Sequence, residues 1–263
     1  MTKARVPLAR ALVLALVPAA LATLPPPSSS STSVSRSTPE RAAARFAAGD
    51  LAGARDDYRF ALATDPGNVP AWCGLARVES ELAEGARGES RREILSAAVQ
   101  HARTAVDKGA GHADAHLALA VALERQSRHE GPRTRLSLVR EVKAEVDRAL
   151  ALDPRNAEAY HVRALWHRRL AKRGPVERFV APARGGAARG ASMGEALRDL
   201  ERAVALEPES VCHRVELART WRDLGRKAEA RRTLERALAL PAASRPGERR
   251  DRSEARELLA RLR

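Results

Sequence analysis

VCHRVELARTWRDLGRKAEARRTLERALALPAAS, residues Val211 to Ser244, is the stretch that decides the fold. Leu217, Ala218 and Trp221 fall on one face of a first helix, and Gly225 stands where a turn is needed. Ala230, Leu234 and Ala237 then recur at spacings of four and three on a second helix, which Pro241 stops. The two helices fold back on each other as one antiparallel hairpin. A single hairpin cannot bury its apolar face alone, so one copy predicts others beside it.

The same register recurs upstream. LAGARDDYRFALATDPGNVPAW places Ala54, Tyr58, Ala61 and Pro66 as a second helix and its stop. Ala98, Ala102 and Ala105 follow, with Ala110 where the proline would stand; then come Val146, Ala149 and Pro154; then Ala196, Leu200, Ala203 and Pro208. First helices carry Trp72, Leu75 and Ala76; His116, Leu119 and Ala120; and Tyr160 with Ala164. Small residues at Ala76, Ala120, Ala164 and Ala218 let paired helices approach, and bulky ones at Tyr58, Leu200 and Leu234 fill the space between pairs. Proline ends the second helix because it has no N–H to donate and clashes with the preceding turn.

This pattern resembles the tetratricopeptide (TPR) repeat. It predicts an all-α, TPR-like α–α superhelix, a right-handed solenoid of antiparallel pairs. Five units cover residues 39–244, with register boundaries 35–68, 69–112, 113–156, 157–210 and 211–244, and a capping helix follows over 245–263. Units one and five have the minimal 34 residues, whereas units two and three have 44 and unit four has 54. The excess is read as long insertions between the paired helices, around AEGARGESRREILS, RHEGPRTRLSLVRE and KRGPVERFVAPARGGAARGASMG. Such insertions would emerge along one edge of the solenoid.

A closer resemblance rests on GPRTRLSLVREVKAEVDRALALDP, AEAYHVRALWHRRL, and CHRVELARTWRDLGRKAEARRTLERALALP after the longest insertion. Over about Asn68 to Arg263 these segments look like the regulator of microtubule dynamics family. The resemblance implies a TPR-like helical domain, protein binding, and association with microtubules or membranes. The chain departs from that family in a leader-like start and an arginine-rich, bacterial-type composition, which weigh against tubulin as its partner.

Residues 1–22 begin with Lys3, Arg5 and Arg10, continue into an uncharged apolar run, and reach small residues at Ala20 and Ala22. That order reads as a secretory signal peptide cut after Ala22. The alternative is an uncleaved anchor, the leucines extending to Leu24. Residues 23–38 are Pro/Ser/Thr-rich, lack apolar periodicity and read as a disordered tether. An exported protein, periplasmic or secreted, is expected.

The net charge is +14; removing the three basic residues of the leader leaves +11. Arginine supplies 42 of the 47 basic residues, and from Val211 onward fifteen basic residues face eight acidic ones. This balance suits an acidic protein or peptide partner, or an anionic lipid surface. Nucleic acid is not expected: the chain has eight aromatic residues and no stacking motif interleaved with its arginines.

No catalytic constellation emerges, and neither an enzyme, a cofactor nor a metal is expected. His112 and His116 stand four apart without a third ligand, and no Gly-rich loop has the strand-to-helix setting that cradles phosphate. Cys73 and Cys212 lie three units apart and read as separate thiols. In TPR arrays the second, fifth, ninth and twelfth residues of each first helix line the inner groove. Applied here, that resemblance selects Arg77, His161, Arg168, Arg219 and Arg222 as groove residues, the C-terminal end being basic. Trp72, Leu75, Ala76, Tyr160, Ala164, Leu217, Ala218 and Trp221 form the packing signature.

Overall fold

The computed structural model describes residues 38–172, 191–242 and 247–262. The expected leader, nearly all of the Pro/Ser-rich tether and most of the longest insertion lie outside the described residues.

Helix boundaries follow from short polar caps. Asn68 and Asn156 accept from the N–H of Ala71 and Ala159, each at 2.9 Å, and Ser210 accepts from His213 at 3.3 Å. Just upstream, Asp65 and Asp153 accept from Gly67 and Arg155, each at 2.9 Å, folding both DP segments into the same turn. Trp72 donates its indole N–H to the Pro66 carbonyl at 3.0 Å, and Tyr160 its hydroxyl to the Pro154 carbonyl at 3.2 Å. In these two first helices the aromatic thereby locks the turn before it.

The eleven helices among the described residues form five hairpins and a cap. They are α1 (Pro39–Ala47) with α2 (Leu51–Thr64), α3 (Val69–Gly85) with α4 (Gly88–Lys108), and α5 (Ala113–Ser127) with α6 (Pro132–Leu152). Then follow α7 (Ala157–Ala171) with α8 (Met193–Leu206), α9 (Val211–Asp223) with α10 (Lys227–Ala239), and the cap α11 (Glu248–Ala260). Each second helix packs on the next first helix, and α1, α3, α5, α7, α9 and α11 contact one another in succession. This is a TPR-like α–α superhelix whose first helices make its inner wall.

The insertions expected in units two and three are not loops. Their residues lengthen α4 and α6 to 21 residues each, leaving Ala86 and Arg87, and Arg128 to Gly131, as the connections. The reason is apolar spacing. Leu95, Ala98, Val99, Ala102 and Ala105 on α4, and Leu138, Val139, Val142, Val146 and Ala149 on α6, are all buried. Gly88, at φ +57°, lets the chain turn tightly into α4. Arg91 and Arg135 donate to the Ala83 and Ser127 carbonyls, in the last turn of α3 and of α5.

Ala76, Ala120, Ala164 and Ala218 are fully buried, and Leu75, Leu200 and Leu234 are at most 2% exposed. Burial of one such leucine contributes about 2 kcal/mol, so stacking rather than local helix propensity holds the array. Gly74 shows how closely α2 and α3 approach: a Cβ there would stand 2.2 Å from the Tyr58 ring. No helix of the described residues is long and apolar enough to cross a membrane.

Candidate functional site

The inner wall carries a chain of ion pairs linking successive hairpins. Arg125 of α5 reaches Glu81 of α3 at 2.8 Å, and Glu124 of α5 receives Arg128 at 2.8 Å together with Arg169 of α7. Arg168 of α7 meets Glu216 of α9 at 2.5 Å, Lys172 meets Asp223 at 2.5 Å, and Arg219 of α9 meets Glu254 of α11 at 2.8 Å. Finally Arg250 of α11 returns to Glu81 of α3 at 3.2 Å, joining residues 169 positions apart. Burial opposes ionisation of Glu124, yet Arg128 and Arg169 hold its carboxyl below the ordinary range. Glu216 follows the same logic, with Arg168 and Arg219 outweighing its burial.

At the C-terminal end of the inner wall the three arginines expected in the groove are ion-paired. Arg168 and Arg219 are taken up by Glu216 and Glu254, and Arg222 pairs with its neighbour Asp223 at 3.1 Å. None of the three lines the cavities of about 410 and 260 Å³ on this wall. The sequence exposed their charge but not the carboxylates that the next hairpin brings to them. Of the five groove residues selected, Arg77 and His161 do come together on one cavity of about 410 Å³. Arg77 pairs across it with Glu158 at 2.7 Å. Val121, Glu124, Glu158, Leu165 and Cys212, also at groove positions of the repeat, line it as well.

The charge of that lining is the reverse of the chain's. Four arginines and seven carboxylates face it, three more anions than cations. Each arginine already has a carboxylate partner: Arg77 with Glu158, Arg125 and Arg250 with Glu81, and Arg128 with Glu124. Asp251, by contrast, meets Arg250 only at 3.9 Å, and its side chain is 14% exposed. Burial raises its pKa to about 6 against the pull of Arg250.

His161 of α7 and His213 of α9 share their Nδ1 atoms at 3.0 Å, with ring centroids 4.9 Å apart, and both line the cavity. Burial, then the neighbouring His213 ring, lowers the pKa of His161 to about 4, so the ring stays neutral. The 52-residue separation hid this pair from sequence reasoning. Asp251, Arg250 and Glu209 were missed too, because only the curvature of the array carries α11 and the α8–α9 turn to the cavity. His116 serves structure: its Nδ1 meets Glu145 at 2.6 Å and its Nε2 the Ala110 carbonyl at 2.9 Å. Both cysteines are free; burial lifts Cys73 to about 12 and Cys212 well above its ordinary value. Among the described residues, no three His, Cys, Asp or Glu side chains converge to hold a metal ion.

Residues 45–263 match the family described as Regulator of microtubule dynamics protein 1-3. The chain belongs to that family. Regulator of microtubule dynamics protein 3 of Bos taurus is 29% identical over 169 residues, covering 64% of this chain and 36% of that protein. The Xenopus laevis protein of the same name is 30% identical over 169 residues, with the same coverage. The chain therefore spans 36% of the length of these curated relatives. A thermophilic TPR protein of Thermus thermophilus superposes with a TM-score of 0.63 at 19% identity, over 84% of this chain and 96% of that one. Pseudomonas aeruginosa pilF gives 0.52 at 16% identity, over 85% and 86%. These two structures bear on the fold. In this member of the family, Leu75, Ala76, Ala164, Leu217, Ala218 and Trp221 are buried, and Trp72 and Tyr160 are half-buried above their turns.

Proposed function

We propose that this chain is a non-catalytic scaffold that holds a protein or peptide segment in its concave cavity, outside the cytoplasm. The supporting observation is convergence: first helices of all five hairpins and the cap helix contribute to one space of about 410 Å³. Such a volume lies low in the ~300–1,000 Å³ range of ligand sites, suiting one or two side chains of a bound segment. The leader-like N-terminus supports the location. The names of the curated relatives raise microtubules as a partner for the family; the departures in leader and composition favour a different protein partner here.

Leu165, half-buried on the cavity wall, offers the test. Leu165→Trp fills the space from one side. Partners recovered by photo-crosslinking to the native chain should be lost with this variant while its helical circular dichroism and melting stay unchanged. Undiminished recovery would overturn the use of the concave face.

A second reading has its own observation. Arg232 and Arg236 on α10, with Arg249 and Arg256 on α11, are exposed, a basic outer surface suited to anionic lipid. Flotation with phosphatidylserine vesicles at low and high salt tests it, salt-sensitive binding being the expected result and its absence the refutation.

A further inference from the structure

The cavity is acidic in a chain where Lys and Arg outnumber Asp and Glu 47 to 33. Arginine-rich composition would by itself give a basic lining, so the reversal is a property of this surface. Ion pairing occupies every arginine of the lining, Arg252 and Arg169 from outside it take Glu248 and Glu124, and Asp251 and Glu209 remain outside those pairs. Asp251 is mostly buried with its nearest cation at 3.9 Å, and Glu209 is exposed at the same cavity.

A second feature concerns the backbone of a ligand. His161 and His213 both line the cavity, so the backbone of a ligand lying there faces their paired rings. His213, 5% exposed, has an Nε2 that makes no hydrogen bond, the Glu207 carboxylate standing at 3.4 Å.

We propose that the cavity is a subsite for a basic side chain, an arginine or lysine of a bound peptide, held by Asp251 and Glu209, with its backbone facing the His161–His213 pair. This rests on the concave-face reading above and adds the chemistry of what is held. It reverses the acidic partner that the net charge suggested. Size agrees, since a guanidinium or ammonium on its aliphatic stem fits the stated volume and its stem can lie on Val121, Val162 and Leu165.

The experiment uses the full chain and an array of short peptides with arginine at the centre, each matched to copies with citrulline or glutamate there. Binding is measured by fluorescence polarisation at low salt. Arginine peptides should bind at pH 7.5, and citrulline should weaken them about tenfold or more, because a desolvated charge pair is lost. Asp251→Asn with Glu209→Gln should cost a similar factor, whereas Glu201→Gln on the exposed face of α8 should cost nothing. The groups facing Asp251 are Arg250 and Glu254 on its own helix, Glu81 of α3, and Cys212 and Glu216 of α9. Affinity should fall as pH is lowered from 7 to 5, through the raised pKa of Asp251. Equal binding of the citrulline or glutamate peptides, abolished by Leu165→Trp, would overturn the basic-side-chain assignment and leave the concave-face reading standing. Absence of binding by any peptide would overturn both.

Discussion

The seam between the third and fourth hairpins and the cavity mouth beside the last helix use the same residue types with opposite outcomes. At the seam, Glu124 is 4% exposed and shared by Arg128 and Arg169, and it stays ionised despite its burial. At the mouth, the Asp251 side chain is 14% exposed, with Arg250 at 3.9 Å and further carboxylates around it, and its pKa rises to about 6. Burial penalises both charges; the count and distance of arginines and the carboxylates that surround Asp251 make the difference. Along the inner wall arginine therefore serves largely as a staple between hairpins, and at the cavity the groups outside those pairs are the carboxylates of Asp251 and Glu209.

Three measurements would break or sharpen that contrast. The largest effect belongs to Glu124→Gln, which leaves two guanidinium groups without their shared acceptor. It should lower the unfolding free energy by about 3 kcal/mol in urea titration. A loss below about 1 kcal/mol, the size of an exposed pair, would mean that apolar packing alone carries the seam.

Asp251→Asn should act in the other direction. The folded pKa is about 6 against an ordinary 3.8, so the native state prefers the protonated acid. Stability associated with that proton is complete below pH 3.8 and is lost as pH rises through 6. The asparagine variant should hence be more stable by about 2 kcal/mol at pH 7–8, and equal to the parent below pH 4. Thermal melts across that range decide it, and a pH-independent difference would contradict the raised pKa.

The smallest effect is assigned to Arg222→Ala. Asp223 keeps Lys172 at 2.5 Å when Arg222 is gone, so the change should stay within about 0.5 kcal/mol. A loss well above 1 kcal/mol would show this arginine to be a staple of the same kind as Arg169.

Much of the architecture was legible because it is written locally. Asp-Pro turns, asparagine and serine caps, and alanine at every close approach each follow from a few neighbouring residues. Where local reading failed, it failed on geometry of the same kind: the surplus in units two and three carries its own helical apolar spacing and forms two extra-long helices. A glycine and several charged residues there suggest loop chemistry, and they mask the buried face that runs from Leu95 to Ala105. The site was legible by halves. Repeat position led to Arg77, Val121, Glu158, His161, Leu165 and Cys212 on the cavity, and equally to three arginines that do not reach it.

What the sequence by itself determined is the repeating hairpin, its boundaries and its small-residue contacts, since helix periodicity and capping act over a few residues. Only the tertiary structure decided which charges cancel. The curvature of the stacked hairpins brings Arg250 to Glu81 across 169 residues and His213 to His161 across 52. An electrostatic environment depends on distance in space, and distance in space accumulates from the small rotation added at every hairpin.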